Sequence, residues 1–392
     1  MELFYPGKRS QEDILNSTPV CNFSGCFNHE NILIKGENLN VLQALLKNYN
    51  FKNKIDLIYI DPPFSTNTVF TIGKDRVSTI SMSNDDEIAY NDTLQGYAFI
   101  NFIRERLIIA KELLSEQGSI YLHIDYKIGH YIKIIMDEVF GIENFRNDIA
   151  RIKCNPKNFP RKAYGNIKDM ILFYSKTNKL IWNEPKIPFS SKDKETLFKK
   201  IDKNGRAYTT IPLHAPGETK DGVTSREFKG MKPPKGRHWR SDPRELEELD
   251  KAGLIEWSAN GNHRKIIYAD EREGKKIQDI WEFKDCQYPV YPTEKNMDML
   301  KTIILASSKQ NSYIMDFFCG SGTTLAAAQE LNRKWIGIDK SIHAINATIN
   351  KFKNIPPNML SNSDYSYIEE ECVNKSYNEN NIHESIHSYI GK

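Results

Sequence analysis

The chain has 392 residues, of which 39% are hydrophobic and 11% aromatic, enough for one or two real cores, which excludes a chain disordered throughout. No apolar run approaches the roughly 20 residues of a membrane helix, and the first ten residues lack a secretory pattern, so the expected location is cytoplasmic. The net charge is +3, but residues 151–290 carry 30 Lys and Arg against 20 Asp and Glu, a surplus that suits either a polyanion or a solvated lysine-rich surface.

Predicted strands and helices alternate in the first part of the chain. Residues 31–35 (NILIK) are a predicted strand, and residues 38–48 are a predicted helix because their apolar residues recur at helical spacing. The almost continuous apolar run 54–60 (KIDLIYI) is typical of a strand buried on both faces of a parallel sheet. It ends at residues 61–64 (DPPF), since two prolines cannot continue a strand. The polar residues 66–93 have no clear period and are predicted to form a mobile loop.

The alternation continues and then returns after a long interruption. A helix, a strand and a helix are predicted at residues 99–114, 119–124 and 130–140. Prolines, glycines and lysines break the pattern in the basic stretch 151–290. Regular order resumes with a helix, a strand, a helix and a strand at residues 297–307, 313–317, 324–330 and 335–338.

This order predicts the fold class α/β, with a doubly wound, Rossmann-like sheet. The sheet domain is expected to consist of residues 1–150 and 291–354, interrupted by the basic insert 151–290. The tail 355–392 is rich in Asn, Ser and Glu and is expected to be peripheral or partly disordered. The six cysteines are scattered, and the close pair Cys21 and Cys26 has no partners at zinc-ligand spacing, so we expect packed thiols and no metal site.

A glycine-rich turn follows the predicted strand 313–317. Its residues are Asp316, Phe317, Phe318, Cys319, Gly320, Ser321, Gly322 and Thr323. Glycines let the backbone approach a ligand closely, and the start of the next helix offers unpaired N–H groups. A dinucleotide site, a phosphate site or a purely structural turn would also fit. The next strand ends at Asp339, an acid placed to accept hydrogen bonds from ribose hydroxyls, and the two features together favour a nucleoside cofactor.

Residues 61–64 suit chemistry on an aromatic amine, which is a poor nucleophile because its lone pair is delocalised into the ring. The Asp61 carboxylate and the Pro62 carbonyl can each accept one amine hydrogen and aim the lone pair at a methyl donor. Pro63 helps to fix the turn, and Phe64 offers a face on which an extruded base can stack. Taken alone, the tetrapeptide is more simply explained as a strand end followed by a proline turn.

The two motifs, in this order, resemble those of amino-group DNA methyltransferases. Residues 61–64 resemble their catalytic motif, and residues 316–323 resemble their S-adenosylmethionine loop. Because the catalytic motif comes first, the chain resembles the permuted β class, in which a target-recognition domain lies between the two motifs. Phe64 stands where the family more often has tyrosine, which removes a hydroxyl but keeps the stacking face.

Further segments extend the resemblance over residues 30–350. Glu37 and Asn38 are similar to a turn near the cofactor's adenine, and Thr293 and Lys295 are similar to a segment that packs over its methionine end. Residues 233–240 and 246–255 look like segments of type III modification subunits and their shorter relatives. The candidates for phosphate or base contacts in the insert are Lys235, Arg237 and Arg240, with a solvated basic loop as the alternative.

The resemblance implies a site-specific methyltransferase that uses S-adenosylmethionine to methylate N6 of a flipped adenine in double-stranded DNA, as part of a restriction-modification or related system. Its partner would be a restriction subunit or a second copy of the chain. Asp61 favours adenine, because relatives that methylate the cytosine amino group usually begin the motif with serine. The alternatives are a cytosine-N4 methyltransferase and an inactive DNA-binding subunit. A nicotinamide dehydrogenase would lack its three-glycine spacing and would leave residues 61–64 unexplained.

Overall fold

The computed structural model of the chain consists of two compact units. It describes residues 2–18, 21–25, 27–63, 68–73, 76–78, 87–92, 96–156, 160, 162–259, 262–285, 294–353 and 365–372. The first unit comprises residues 1–184 and 278–392, and the second comprises residues 185–277. None of the helices within the described ranges has the length and apolar character required to cross a bilayer.

The described elements follow in chain order. The helices are α1 (Gln11–Asn16), α2 (Asn38–Lys47), α3 (Gly96–Leu113), α4 (Tyr126–Phe140), α5 (Ser191–Leu197), α6 (Pro243–Lys251), α7 (Met297–Ser307), α8 (Thr323–Glu330) and α9 (Ile342–Lys353). The strands are β1 (Cys21–Ser24), β2 (Asn31–Lys35), β3 (Ile55–Ile60), β4 (Thr68–Gly73), β5 (Arg76–Ser78), β6 (Glu87–Asp92), β7 (Leu114–Ile124), β8 (Phe145–Ile152), β9 (Lys168–Ser175), β10 (Lys186–Ile187), β11 (Lys200–Ile201), β12 (Ala207–Pro212), β13 (His214–Pro216), β14 (Arg237–Trp239), β15 (Ile255–Glu256), β16 (Arg264–Tyr268), β17 (Lys275–Lys276), β18 (Ile280–Trp281), β19 (Tyr313–Asp316), β20 (Lys334–Asp339) and β21 (Tyr365–Cys372).

The first unit is built on a sheet in the order β1-β21-β2-β20-β19-β3-β7-β9-β8-β18. The strands from β21 to β7 are parallel, which confirms the predicted doubly wound, Rossmann-like α/β sheet. Its flanks are mixed, because β9 runs antiparallel to both β7 and β8, and β1 runs antiparallel to β21. The neighbours β3 and β19 end together, so Asp61 and Asp316 lie at the same edge of the sheet, where open α/β sheets bind their ligands.

The two faces of β3 have different surroundings. Ile58 and Ile60 are fully buried in a core cluster with apolar residues of α3 and α4. Successive side chains of a strand point to opposite faces, so Tyr59 lies on the other face of the sheet. Burial on both faces explains why the run 54–60 is almost continuously apolar, as the sequence predicts for a central strand.

The prediction of a loop at residues 66–93 is wrong for the part that the structure describes. Strands β4, β5 and β6 form an antiparallel sheet in the order β5-β4-β6. Antiparallel pairing satisfies backbone hydrogen bonds without requiring a long apolar face, so a search for apolar periodicity misses it. The β-branched and aromatic residues of β4 (TVFTIG) were the available signal.

The prediction of a peripheral tail also fails at β21, which is part of the large sheet. This strand lies between β1 and β2, and its Ile368 is completely buried. The Ser366 hydroxyl accepts hydrogen bonds from the backbone N–H groups of Asn28 and His29, both at 3.0 Å. Composition misled here because a strand covered on both edges needs few apolar residues, since its backbone hydrogen bonds hold it in place.

Replacing Ile368 by alanine tests whether β21 contributes to the stability of the first unit. Because the side chain is fully buried, we expect a loss of about 2 to 5 kcal/mol in the free energy of unfolding, measured by urea denaturation. The exposed Glu371 on the same strand provides the control, since Glu371→Ala removes a solvated side chain. Equal stability of the two variants would show that the strand is dispensable, as its composition suggests.

The second unit, residues 185–277, has a small core of its own. It contains the sheet β11-β12-β16-β15 and the pairs β13-β14 and β10-β17. The core consists of Leu213, Phe228, Trp239, Leu246 and Ile255. The predicted insert began earlier, at residue 151, and ended later, at residue 290. The difference arises because β9 and the end of β8 extend the sheet of the first unit, and β18 pairs with β8.

Candidate functional site

The predicted catalytic turn directly follows β3. Pro62 is buried, and the Asp61 and Pro63 residues are partly buried. Phe64 lies outside the described residues. The Asp61 carboxylate is bound on one side only: its Oδ2 lies 2.6 Å from the ammonium nitrogen of Lys295. Its Oδ1 is buried and has no hydrogen-bond partner among the residues that the structure describes. A buried acceptor without a donor is unfavourable, and a substrate N–H group would satisfy it.

The structure places Lys295 against the catalytic turn. The sequence predicts Lys295 and Thr293 as residues near the cofactor, but Thr293 lies outside the described residues. The ion pair with Asp61 brings the segment before α7 to the end of β3, although the two residues are far apart in sequence. The ammonium group occupies Oδ2, so Oδ1 is the oxygen left to accept an amine hydrogen.

Three polar side chains form a buried row on neighbouring strands next to Asp61. His123 of β7 is completely buried, and its Nδ1 lies 2.9 Å from the Tyr59 hydroxyl of β3 and 3.9 Å from Asp61 Oδ1. Its Nε2 lies 3.2 Å from Oδ2 of Asp169 on β9. The sequence analysis missed Tyr59, His123 and Asp169. The signal was a histidine inside an apolar strand, since such a residue needs buried partners.

Asp169 is itself held by two cations. Its Oδ1 accepts a hydrogen bond of 2.6 Å from Lys153, and its Oδ2 lies 3.5 Å from Arg151. Burial alone would raise the pKa of Asp169, but hydrogen bonds from His123 and Lys153 outweigh burial and hold that pKa well below its usual range. Asp169 is therefore ionised. Burial lowers the pKa of His123, so the imidazole is neutral, with Nε2–H donating to Asp169 and Nδ1 accepting from Tyr59.

The predicted cofactor loop joins β19 to α8. The buried Asp316 accepts a hydrogen bond of 3.0 Å from the Phe318 N–H, which fixes the start of the loop. Burial raises the pKa of Asp316 to about 7, although hydrogen bonds from Thr324 and Phe318 oppose the rise. Gly320 and Gly322 have φ angles of +52° and +72°, a left-handed conformation that favours glycine. This turn places the start of α8 at the sheet edge, where the first N–H groups of a helix can bind a ligand.

Gly322 also leaves no room for a side chain. A Cβ atom there would lie 2.7 Å from the Thr348 hydroxyl of α9. The next residue, Thr323, is buried and accepts a hydrogen bond of 2.8 Å from Lys351. Lys351 also pairs with Glu294, which lies immediately before Lys295. These contacts connect the cofactor loop to the segment that carries Lys295.

The two aromatic residues of the loop differ in exposure. Phe317 is completely buried in the core, so only its backbone is placed to make the predicted cofactor contact, because consecutive residues at a strand end point in opposite directions. Phe318 is partly exposed and packs on Phe102, with ring centres 5.9 Å apart. Only Phe318 can offer a ring to a ligand, while Phe317 contributes its backbone.

Asp339 ends β20 and faces the same loop. Its Oδ2 accepts a hydrogen bond from the Gly320 N–H at 3.0 Å, and its Oδ1 accepts one from the Ser341 N–H at 2.9 Å. A carboxylate has about four acceptor positions, so these hydrogen bonds do not exhaust its capacity for ribose hydroxyls. Burial raises the pKa of Asp339, and backbone hydrogen bonds from Ser341, Gly320 and Lys340, with the charge of Lys340, oppose this shift. The contact with ribose stays a prediction.

Glu37 and Asn38, at the start of α2, are held by Arg106 of α3. Arg106 donates a hydrogen bond of 2.6 Å to the Asn38 side-chain oxygen and pairs with Glu37 at 2.5 Å. The Asn38 amide in turn donates to the Phe317 carbonyl at 2.8 Å, so this predicted pair does lie beside the cofactor loop. The sequence analysis missed Arg106, because an arginine on an amphipathic helix is usually solvated. The structure buries Arg106, and burial lowers its pKa.

The predicted DNA-binding residues lie within the second unit. Lys235 and Arg240 are exposed, and neither forms an ion pair with any residue that the structure describes. Arg237 of β14 is partly buried, and its guanidinium lies 2.9 Å from His214 Nδ1. Lys235 and Arg240 are thus available to a ligand without loss of an ion pair to any described residue.

No metal site accompanies these residues in the described part of the chain. No group of three or more His, Cys, Asp or Glu side chains is arranged there to hold an ion.

Comparisons with known proteins agree with one another. The sequence profile described as "DNA methylase" matches residues 55–351. The type II methyltransferase M.EcaI of Enterobacter cloacae is 39% identical over 367 residues, which cover 89% of this chain and 77% of that protein. The EcoPI Mod subunit, a type III restriction-modification protein of Escherichia phage P1, is 27% identical, with 83% of this chain and 59% of that protein covered.

Other matches are more distant. The StyLTI Mod subunit of Salmonella typhimurium is 26% identical over 78% of this chain, which spans 51% of that protein. The chain thus spans between half and three fifths of the type III subunits that it matches. Among solved structures, the PvuII DNA methyltransferase, described as cytosine-N4-specific, has a TM-score of 0.45 and 11% identity, with 83% of this chain and 87% of that chain covered.

Proposed function

Because the chain belongs to the DNA methylase family, we propose that it methylates the N6 amine of an adenine that is flipped out of double-stranded DNA at a specific sequence. S-adenosylmethionine, the predicted cofactor, is the methyl donor of this family. When bound, it would supply the methyl group. The cofactor loop of Gly320 and Gly322, together with the Asp339 carboxylate, has the form that suits a nucleoside ligand.

The buried Oδ1 of Asp61, which has no hydrogen-bond partner among the described residues, carries this proposal. It lies at the end of β3, next to the strand that leads into the cofactor loop. An amine hydrogen donated to Oδ1, and a second one donated to the Pro62 carbonyl, would turn the nitrogen toward tetrahedral geometry. Lys295 holds the other carboxylate oxygen, so the acceptor is already oriented before a base arrives. Catalysis then rests on positioned hydrogen-bond acceptors.

Adenine is preferred over cytosine because the motif begins with Asp61, whereas cytosine-specific relatives usually begin it with serine. Type III Mod subunits among the relatives are consistent with a restriction-modification role. The partner would be a restriction subunit or a second copy of the chain. An enzyme that modifies cellular DNA in this way would act in the cytoplasm.

We assign sequence recognition to the second unit, with the remaining residues of the predicted insert 151–290 as supplementary contacts. Lys235, Arg237 and Arg240 would bind phosphates or base edges. A triple alanine variant should weaken DNA binding and reduce the slope of log affinity against log salt concentration by about one unit for each lost phosphate contact. Affinity for S-adenosylmethionine should not change.

A matched control removes three cations of the same unit that are already paired with carboxylates. These cations are Lys200, Arg206 and Lys229. Their replacement by alanine changes the net charge by the same amount. Because these cations are already paired, they should contribute little counterion release when the chain binds DNA. If both triple variants bind DNA with equal affinity and equal salt slope, then Lys235, Arg237 and Arg240 do not contact the substrate.

Long-read sequencing of DNA from a host that expresses the chain tests the proposed function. We expect N6-methyladenine at one short sequence motif, and none in a host that expresses the Asp61→Ala variant. Methylcytosine at a motif would identify the cytosine amine as the target. Unmodified DNA, from a chain that binds DNA and S-adenosylhomocysteine, would indicate an inactive subunit.

A further inference from the structure

Packing of the sheet does not require the buried row of Tyr59, His123 and Asp169. Three neighbouring strands, β3, β7 and β9, each contribute one of these side chains. Polar groups buried in a sheet cost free energy unless they are paired, and apolar residues would pack there at lower cost. The row ends 3.9 Å from Asp61 Oδ1, the oxygen that would face the amine and that no described residue hydrogen-bonds.

Methyl transfer to an amine leaves a proton to be removed. The nitrogen forms a bond to carbon, and the carbon–sulfur bond breaks with its electron pair remaining on sulfur. The nitrogen then carries a positive charge until one N–H bond breaks and returns its electron pair to nitrogen. A carboxylate that accepts this hydrogen bond is the first group that can take the proton, but a carboxylate is a weak base.

We propose that His123 is the proton acceptor of the reaction, acting through Asp61, which passes the proton from its Oδ1 to His123 Nδ1. This inference rests on the proposed transfer of a methyl group to an exocyclic amine. Because His123 is completely buried and Asp61 is partly exposed, the proton later returns through Asp61 to water, which restores the neutral imidazole. Asp61 Oδ1 and His123 Nδ1 lie 3.9 Å apart, so the two atoms must approach by about 1 Å to form a hydrogen bond. Side-chain rotation can supply a movement of this size.

The surroundings of His123 suit this role. Tyr59 donates to Nδ1 and keeps the imidazole neutral before the reaction, since burial raises the pKa of the Tyr59 hydroxyl and keeps it protonated. Because Nδ1 of a neutral imidazole has one lone pair, the Tyr59 hydroxyl hydrogen turns away from Nδ1 when the proton from Asp61 arrives. Asp169, ionised and fixed by Lys153, accepts from Nε2 and would stabilise the imidazolium once it forms. This is the arrangement by which a carboxylate supports a histidine base in hydrolytic triads.

The charges that face His123 determine how its protonation responds to pH. Asp61 and Asp169 favour the imidazolium, whereas Lys295 and burial disfavour it. Arg151 of β8 lies 3.5 Å from Oδ2 of Asp169. Since only the neutral imidazole can accept a proton, the methylation rate should fall as pH falls through the pKa of His123. We call this fall the acidic limb.

The test compares the pH dependence of single-turnover methylation for the full chain and three variants, with unmethylated plasmid DNA and S-adenosylmethionine. In His123→Asn, the amide can still form hydrogen bonds near the position of the imidazole, but it cannot accept the proton released by the amine. We expect its rate to fall by about 100-fold or more and its acidic limb to disappear. Binding of S-adenosylhomocysteine should remain normal.

The second variant, Tyr59→Phe, removes one hydroxyl and preserves the ring. Loss of a hydrogen bond to neutral Nδ1 makes the imidazole easier to protonate, so the acidic limb should move to higher pH. Tyr121→Phe is the matched control. Tyr121 is a buried tyrosine whose hydroxyl lies 2.8 Å from Ser307 and not at His123, so its loss should leave the limb in place.

The possible outcomes are distinct. A folded His123→Asn variant with the wild-type rate and acidic limb would overturn the inference. If that variant does not fold, an unmoved limb in Tyr59→Phe would overturn it, because a limb set by His123 depends on the hydrogen bond from Tyr59. Failure of the proposed function would appear differently, because DNA incubated with the wild-type chain would then contain no methylated amine.

Discussion

Replacing Asp61 with alanine should lower the single-turnover rate of DNA methylation by about 100-fold or more, comparable to the loss of one oxyanion-hole donor. The variant removes the buried Oδ1 that would accept an amine hydrogen. It also removes the ion pair between Asp61 and Lys295, which adds to the disturbance of the turn. Binding of S-adenosylmethionine should remain within a few-fold of the wild-type value, as measured by calorimetry.

Asp56 offers a control on the same strand. It lies near the amino end of β3, and its carboxylate accepts a hydrogen bond of 2.7 Å from Ser115, away from the sheet edge that carries Asp61. Asp56→Ala should methylate DNA at nearly the wild-type rate. Near-normal turnover by Asp61→Ala would remove Asp61 from the chemistry and leave its ion pair with Lys295 as its role.

Replacing Asp339 with alanine should weaken S-adenosylmethionine binding by roughly 10- to 150-fold. The expected loss corresponds to about 1.5 to 3 kcal/mol, the contribution of hydrogen bonds to a charged acceptor. The carboxylate supports the Gly320 and Ser341 N–H groups, so alanine would also disturb the cofactor loop itself. Calorimetric titration with S-adenosylmethionine measures the combined effect.

Asp339→Asn separates loop support from direct contact with ribose. The amide oxygen can still accept the Gly320 hydrogen bond, but the negative charge and one acceptor oxygen are lost. We expect its affinity to lie between those of the alanine variant and the wild type. Wild-type affinity of the asparagine variant would mean that Asp339 only shapes the loop.

The central strands and helices could be predicted from sequence because each has a strong local signal. The strand 31–35 and the helix 297–307 coincide with β2 and α7, and the predicted strand 54–60 differs from β3 by one residue. These elements are buried on one or both faces, so their apolar periodicity reports their structure directly. The sequence motifs at their ends then located Asp61 and Asp316 at one sheet edge.

The flanking elements could not be predicted in the same way. Strands β4 and β21 and the extension of the sheet by β8 and β9 depend on partners distant in sequence, which supply backbone hydrogen bonds rather than an apolar face. The interrupting segment was therefore given boundaries that were too wide. Local patterns contain little information about such pairing.

The candidate site shows the same division. Asp61, Gly320, Gly322 and Asp339 follow from local motifs, whereas the partners that orient such residues come from elsewhere in the chain. Arg106 joins Glu37 and Asn38 across about 70 residues, and Lys295 meets Asp61 across more than 200. Phe317 shows what a motif leaves open, because its position predicts a cofactor contact but does not reveal that its side chain belongs to the core.

The most direct test of the proposed activity is mass spectrometry of nucleosides after methylation with deuterated-methyl S-adenosylmethionine. Purified chain and unmethylated duplex DNA would be incubated together, and the DNA digested completely. We predict that the label appears in N6-methyldeoxyadenosine and that Asp61→Ala produces none above background. Label in N4-methyldeoxycytidine alone, or no labelled nucleoside from a chain that binds both substrates, would contradict the proposal.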